Sequence, residues 1–490
     1  MRVVTPALHP TIETPPLPGM RPRDLMRHFG PGVILMMTGI GTSHLVTAPL
    51  AGAQFGYTLL WCVLVSFVFK YHGFEMAFRF THATGRSMLD AYATAPGKWP
   101  IWYTLVATVI QCAVGQAGRL AAAAAVPFFL VQYYAGVELP AGVYALIIAV
   151  ASVVIILGGR YAAVEAVTKI LAGALVLSSV IVYIVQPAPA SAFANFFIFD
   201  APEGSLIIIA AFLGLLPTGI DVSLQASEWG KAKRAGMPLL RQQLEDQGLT
   251  GKFDTFRSSK HDLAVDTSKL PPDTKEYCRR WLKIALWDFT ICHVISFVVA
   301  SIFLMLAAQW IRGSAVQGNA VMGEIAGIFT NSVGPWMMLV FLFGAFAATL
   351  STAFNYFDGW PRVVASCCRN LWPSTARLRG IAAEDLTPEH RSTWLSEYNI
   401  YRATMLFSLV ASVAIVWGFP RPVWLVLIAS ALAYLIAPVI YFLNLYYCYT
   451  VIPKDDPIFY PGRFATVFAW LSLVAFTGMT GVLIWQRFLS

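Results

Sequence analysis

Residues 31–55 read PGVILMMTGIGTSHLVTAPLAGAQF, an apolar stretch of membrane-spanning length that is interrupted near its middle. A helix of about 20 apolar residues crosses a bilayer, whereas small and polar residues at its centre predict that the helix unwinds there. The interrupting residues are Gly41, Thr42, Ser43 and His44. A break at this depth is typical of the substrate site of a membrane transporter.

A second apolar stretch, LIIIAAFLGLLPTGIDVSLQASEW at 206–229, is interrupted by Leu216, Pro217, Thr218 and Gly219. Paired breaks are expected where half-helix ends and unwound backbone hold a substrate at the bilayer midplane. The sequence of the apolar spans contains no His-rich metal cluster, nucleophile elbow or carboxylate pair. The two stretches therefore predict a transporter rather than an enzyme.

The composition is that of a membrane protein: 57% of the residues are hydrophobic and 12% are charged, about half the charged fraction of a soluble protein. The sequence predicts an all-α integral membrane fold, a five-plus-five inverted repeat with one extra helix, over 31–490 after a cytoplasmic tail at 1–30. Eleven spans are predicted, at about 32–55, 57–79, 101–126, 141–158, 163–186, 205–228, 282–308, 335–358, 403–418, 422–447 and 464–486.

Lys and Arg are concentrated in the loops that would face one side of the membrane. The loop at about 230–280 carries eleven of them, and the loop at about 360–402 carries several more. The opposite loops at 131–140 and 187–204 carry none. This asymmetry predicts a plasma (inner) membrane protein with a cytoplasmic N-terminus. The net charge of +8 then reflects contact with anionic lipid, not nucleic acid.

The cysteines predict neither a metal centre nor a cofactor. None of the seven shows a ligand spacing such as CxxC. The adjacent pair Cys367 and Cys368 is a candidate for palmitoylation, although the favoured interpretation is that both are small apolar core residues.

The segment AGAQFGY at 51–57, continuing to Trp61, resembles the junction between the first two helices of the NRAMP family of divalent metal transporters. Three further segments resemble the family: TGRSMLD at 84–90, GRY at 159–161 followed by Glu165, and TLST at 349–352. The resemblance implies a LeuT-like fold in which helices one and six unwind around the substrate.

The residues that carry the family's chemistry are replaced in this chain. Aligned on AGAQFGY, the family's DPGN motif falls on 41–44, and its MPH motif falls on 216–218, where the sequence is LPT. The family's proton-linked histidine falls on Ser223, and its paired acids in helix three fall on Gly115 and Gly118. The scaffold is therefore expected without the usual metal ligands.

The residues at these positions favour a small inorganic anion, with bicarbonate first. Hydroxyls, an imidazole and the N–H groups of unwound helices all donate hydrogen bonds to anions. Arg119 lies mid-span, where a charge marks function by default, although a structural partner such as Asp221, Glu75 or a carbonyl is an equal interpretation. The predicted substrate-binding residues are Gly41, Thr42, Ser43, His44, Arg119, Leu216, Pro217, Thr218, Gly219, Asp221 and Ser223.

Asp221 keeps a cation interpretation open. It lies one helical turn beyond Pro217, and with backbone carbonyls it forms an oxygen site that suits Mg²⁺ better than Mn²⁺, because the thioether is missing. A non-transporting substrate sensor is a third interpretation, but no appended signalling domain is visible in the sequence.

Two further predictions concern coupling and gating. A sodium ion for symport is predicted between carbonyls of span one and hydroxyls of span eight, with simple back-bonding of those hydroxyls as the alternative. The residues of this predicted sodium site are Gly39, Ile40, Thr349, Ser351 and Thr352. In span two, Lys70, His72 and Glu75 are expected to snorkel to the interface, with a gating ion pair of Glu75 as the alternative.

Overall fold

The computed structural model describes residues 12–159, 161–257, 259–313, 321–372 and 396–488. Within these ranges the chain is helical, and the one β-type pairing is an isolated bridge between Thr250 and Val265. Seven helical segments in these ranges are long and apolar enough to cross a membrane. The predicted all-α membrane fold is confirmed.

Each span predicted from the sequence overlaps at least one helix of the structure. The helices are α1 (Pro22–His28), α2 (Pro31–Gly39), α3 (Ala48–Phe55), α4 (Leu60–Thr84), α5 (Met88–Tyr92), α6 (Trp99–Ile110), α7 (Gln116–Ala135), α8 (Ala141–Leu157), α9 (Tyr161–Val185), α10 (Leu206–Leu215), α11 (Val222–Ala232), α12 (Met237–Asp246), α13 (Pro272–Trp310), α14 (Val321–Ser332), α15 (Met337–Leu371), α16 (Glu397–Gly418), α17 (Pro422–Val451) and α18 (Arg463–Phe488).

Span one differs from its prediction because it does not unwind. A π-helix at Ile40–Thr47 joins α2 to α3, and the N–H of Ala48 bonds to the carbonyl of Ser43, five residues back. The polar side chains that predicted a break are used by the helix itself: the Ser43 hydroxyl donates to the Gly39 carbonyl at 2.9 Å. A π-helical turn inside an α-helix is nevertheless frequent at functional sites.

Span six is broken where the sequence predicts it. Helix α10 ends at Leu215, the Leu216–Pro217 peptide is cis, and α11 begins at Val222. Leu216 is extended, as expected for a residue that precedes proline. The chain therefore runs without α-helical structure from Leu216 to Asp221, and the backbone groups there need partners from other elements.

Small residues let the spans approach one another closely. A Cβ on Gly52 would collide with the Leu304 carbonyl of α13, and one on Gly214 would collide with the Ser430 carbonyl of α17. Close backbone approach through small residues is the usual way in which membrane helices pack. The AGAQFGY segment thus has a packing role in this fold.

The loop after span six is anchored by one arginine. Arg241 on α12 donates to the carbonyls of Thr84, Gly251, Asp262 and Leu263, and to Glu245. Burial raises the pKa of the Glu245 carboxyl, but hydrogen bonds from Arg241 and Arg86 outweigh it and hold that pKa below its usual range. The loop is therefore fastened to the end of span two.

Some predictions lie wholly or partly outside the described residues. These are the start of the N-terminal tail at 1–11, Arg160 in the GRY segment, and the part of the loop 360–402 at 373–395.

Candidate functional site

The break in span six lies directly against span one. A Cβ on Gly39 would collide with the Pro217 carbonyl oxygen, so only a glycine allows these two backbones to touch. Gly41, two residues on, packs in the same way against the Thr352 hydroxyl and the Ala348 carbonyl of α15. The two interruptions predicted from the sequence therefore meet, although only one of them is unwound.

His44 serves as a link between helices in this structure. It is fully buried, and its Nδ1 lies 2.9 Å from the Gly39 carbonyl. Its Nε2 lies 2.9 Å from the carbonyl of Ser296 on α13 and 2.8 Å from that residue's hydroxyl. Both ring nitrogens are engaged, which is the bonding expected of a buried structural histidine. Thr42 beside it is buried as well.

Thr218 lies inside the break and connects it to two other helices. Its hydroxyl is 2.8 Å from the hydroxyl of Tyr356 on α15. Its carbonyl accepts a hydrogen bond from the Lys70 ammonium of α4 at 2.9 Å. Thr218 thus lies in the break, with Tyr356 and Lys70 as its partners.

Lys70 does not snorkel to the interface as the sequence predicts. Its side chain is fully buried in the middle of α4, and its ammonium donates to the carbonyls of Gly214 and Thr218, each at 2.9 Å. The broken helix explains the difference, because carbonyls without helical partners are strong acceptors inside a membrane. A lysine at the centre of an apolar span is the sequence signal for this role.

Asp221 ends the break and lies among positive charges. Its Oδ2 accepts a hydrogen bond from the indole N–H of Trp360 at 3.2 Å. The basic side chains of Arg119 and Lys70 lie close enough to interact electrostatically with its carboxylate. The carboxylate is buried, with 8% of the residue's surface exposed. Asp221 therefore has polar and charged neighbours at the break.

Arg119 is held by aromatic rings and by its own helix. Its guanidinium carbon lies 3.7 Å from the ring centroid of Tyr356 and 4.6 Å from that of Trp360, and its Nη1 donates to the Gly115 carbonyl at 2.7 Å. Arg119 therefore has the carbonyl partner expected from the structural interpretation, and it also makes cation–π contacts with two aromatic rings. Tyr356 and Trp360 were not predicted, although their spacing of four residues places them on one face of a helix.

Ser223 lies outside this group. Its hydroxyl accepts a hydrogen bond from the Asn444 amide of α17 at 2.8 Å, and the same amide donates to the Gly73 carbonyl at 2.9 Å. Asn444 also accepts a hydrogen bond from Tyr92. In this structure Ser223 helps to pack span six against spans two and ten.

The threonine hydroxyls of the predicted sodium site form two kinds of hydrogen bond. The Thr352 hydroxyl lies 2.9 Å from the carbonyls of Met37 and Ala348, so it can bridge span eight to span one. The Thr349 hydroxyl bonds back to the Ala345 carbonyl at 2.8 Å, which is the alternative interpretation. Ser351, next to Thr352 in α15, and Ile40, at the start of the π-helix in span one, are both buried.

Glu75 pairs within its own helix and not across a vestibule. It accepts from His72 at 2.9 Å and from Arg79 at 2.8 Å. In this structure the partners of Glu75 are thus neighbours three and four residues away on α4, whereas the alternative interpretation, a gate, calls for an Arg or Lys of another span.

The side chains of the described residues do not form a conventional metal cluster. No group of three or more His, Cys, Asp and Glu side chains could hold an ion in the ranges that the structure covers. The described site offers one carboxylate, several hydroxyls and the carbonyls of the break. All seven cysteines are buried, so Cys367 and Cys368 are not presented for palmitoylation in this conformation.

Comparison with known proteins places this geometry in context. The model of the family described as natural resistance-associated macrophage protein-like, Nramp, matches residues 32–486. An uncharacterized protein of Pasteurella multocida is 22% identical over 462 residues, which cover 92% of this chain and 90% of that protein.

Two solved structures share the fold. A mutant of the Eremococcus coleocola manganese transporter superposes with a TM-score of 0.58 at 14% identity, covering 98% of this chain and 90% of that one. MhsT in complex with L-phenylalanine gives a TM-score of 0.51 at 11% identity, covering 94% and 98%. At these identities the likeness concerns the fold, and the expected LeuT-like architecture is confirmed.

Proposed function

Because this chain belongs to the Nramp family, we propose that it is a secondary active transporter of a divalent metal cation, with Mg²⁺ preferred over Mn²⁺. Its character as an integral membrane transporter, not an enzyme, follows from the family. The identity of the ion and the residues that bind it are what we propose.

The position of Asp221 is the observation that supports this proposal most directly. Asp221 is a buried carboxylate at the end of the break, where unwound backbone supplies further oxygen atoms. Mg²⁺ keeps several of its waters and is commonly bound through one or two carboxylates. A site without thiolate or thioether ligands favours such a hard cation over a softer one. The likeness to a manganese transporter also supports a cation over bicarbonate.

The neighbouring charges set a condition on this proposal. Lys70 and Arg119 both interact electrostatically with Asp221. Positive charges at these side chains would repel a dication strongly in a medium of low dielectric constant. Cation binding at Asp221 therefore requires the Asp221 side chain to turn away from Lys70 and Arg119 during the transport cycle.

The same charges support a second candidate, a small anion with bicarbonate first. Two buried basic side chains, Lys70 and Arg119, lie near one carboxylate at the break. Planar guanidinium and hydroxyl donors suit a planar oxyanion. Sodium symport, with Thr352 at the coupling site, belongs to this second candidate.

Uptake into proteoliposomes separates the two candidates. Mg²⁺ and Mn²⁺ are followed with metal-sensitive dyes, and bicarbonate with a trapped pH dye, each with and without a sodium gradient. We expect Mg²⁺ entry that Asp221→Asn abolishes and that the matched surface change Asp455→Asn leaves intact. Alkalinisation with bicarbonate and no metal signal would replace the cation with the anion.

A further inference from the structure

The ammonium of Lys70 lies where helix α10 ends. Helix α10 ends at Leu215, and the C-terminal carbonyls of a helix carry partial negative charge and lack helical partners. Lys70 donates to the carbonyl of Gly214 in the last turn and to the carbonyl of Thr218 in the break, each at 2.9 Å. The ammonium thus bridges the two sides of the interruption.

The surroundings hold these two carbonyls in place. Gly214 packs against the Ser430 carbonyl of α17 with no room for a side chain. Thr218 is tied through its hydroxyl to Tyr356. Asp221, an acidic residue that is 8% exposed, follows directly at the end of the break. Carbonyls of unwound backbone and of half-helix C-terminal ends coordinate monovalent cations in transporters, so these two carbonyl oxygens are a suitable environment for a small monovalent cation.

We propose that the Gly214 and Thr218 carbonyls form a monovalent-cation site that Lys70 fills permanently from α4. The tethered ammonium replaces a diffusible ion, so the break keeps its geometry without any ion from solution. Removal of the amine opens the site to a small ammonium or alkali cation. This assignment does not depend on which ion the protein transports.

Chemical rescue of Lys70→Ala tests the proposal. The alanine keeps Cβ and removes three methylenes and the amine, which are the atoms of n-propylammonium. The full-length variant is purified in detergent, and its thermal unfolding is followed with n-propylammonium or with the neutral isostere n-propanol. Because a ligand that binds only the folded state stabilises it in proportion to its occupancy, n-propylammonium should raise the Tm of Lys70→Ala in a saturable way.

Three controls make the result specific. The wild type and the exposed-site variant Lys269→Ala should not respond to n-propylammonium. Lys70→Arg, which keeps a cation, should be more stable than Lys70→Met, which keeps the length and loses the charge. An equal response to n-propanol would reduce the effect to cavity filling and overturn the proposal.

A second comparison covers the case in which Lys70→Ala does not fold. Lys70→Met leaves two buried carbonyls without a donor, so its Tm should fall by several degrees relative to wild type. A Lys70→Met protein as stable as the wild type would overturn the proposal. Since the readout is unfolding and not uptake, a failure here is distinct from a failure of the transport proposal.

Discussion

Arg119 shows how a mid-span charge can be retained without an ion pair. Its guanidinium stacks on Tyr356 and Trp360 and bonds to the Gly115 carbonyl. A planar guanidinium can do both at once, whereas a lysine ammonium cannot reproduce the stacking. The arginine therefore places a fixed positive charge near Asp221 while the rings cover its faces.

This arrangement predicts the cost of a charge-conserving change. Arg119→Lys should lower the free energy of unfolding by about 2 kcal/mol, the size of a desolvated cation–π contact. Arg402, which lies over the Tyr398 ring on an exposed face of α16, is the matched control. Arg402→Lys should cost less than about 1 kcal/mol. Thermal unfolding of the two purified variants measures the difference, and equal losses would argue against the buried stacking.

His44 shows how sequence alone leaves the role of a mid-span histidine open. An imidazole beside two hydroxyls in a span can be a substrate ligand or a hydrogen-bonded core residue. In the structure its two nitrogens bond to Gly39 and Ser296, because a buried π-helix leaves carbonyls that need donors. Gly39 is five residues away, but Ser296 lies 252 positions away along the chain, so sequence spacing does not reveal this second partner.

At the scale of elements, the two predicted breaks had different causes. Pro217 cannot continue a helix, and its effect is local, so the break in span six was predictable from sequence. In span one no proline lies within 40–47, and Ser43 and His44 satisfy the carbonyl that an unwound segment would expose. Whether a polar residue breaks a helix or caps it from within depends on packing, which sequence periodicity does not reveal.

The contact between α3 and α13 gives a prediction for the AGAQFGY segment. Gly52→Ala would drive a methyl group into the Leu304 carbonyl, and overpacking of this kind costs about 1–3 kcal/mol. Gly327→Ala in α14, where no atom lies within 4 Å of the added carbon, should be neutral or stabilising by up to about 1 kcal/mol. Denaturation of both variants in the same detergent is the measurement. A stable Gly52→Ala protein would mean that α3 and α13 are farther apart than the structure places them.

At the scale of the whole molecule, the ends of several spans are joined by one arginine. Arg369 on α15 donates to Glu397 on α16 at 2.8 Å and to Asp90 on α5 at 3.1 Å. It also donates to Ser366, whose hydroxyl bonds to Glu228 on α11. Spans two, six, eight and nine therefore meet in one buried polar network. The positive-inside pattern placed Arg369 in the loop after span eight, but its pairing with acidic residues depends on the tertiary fold.

This network should resist opening of the face on which it lies. Alternating access in transporters of this kind moves one group of helices against another, so the links through Arg369 must separate when this face opens. Arg369→Gln removes the two ionic links, and one partner of a buried ion pair is costly to remove. We therefore expect the variant to populate the open conformation more than the wild type does.

Two native thiols beside the network report this opening. Cys367 and Cys368 precede Arg369 on α15 and are 0% and 7% exposed, so a thiol reagent modifies them only when the helices part. Arg369→Gln should accelerate the modification of Cys368 several-fold, measured by peptide mass spectrometry that separates it from the other cysteines. Arg279→Gln, which removes an exposed ion pair with Glu276, should leave the rate unchanged. A Cys368 rate equal to that of the wild type would show that this face opens without breaking the Arg369 links, and the closing force would then have to lie in the packing of α11 against α15.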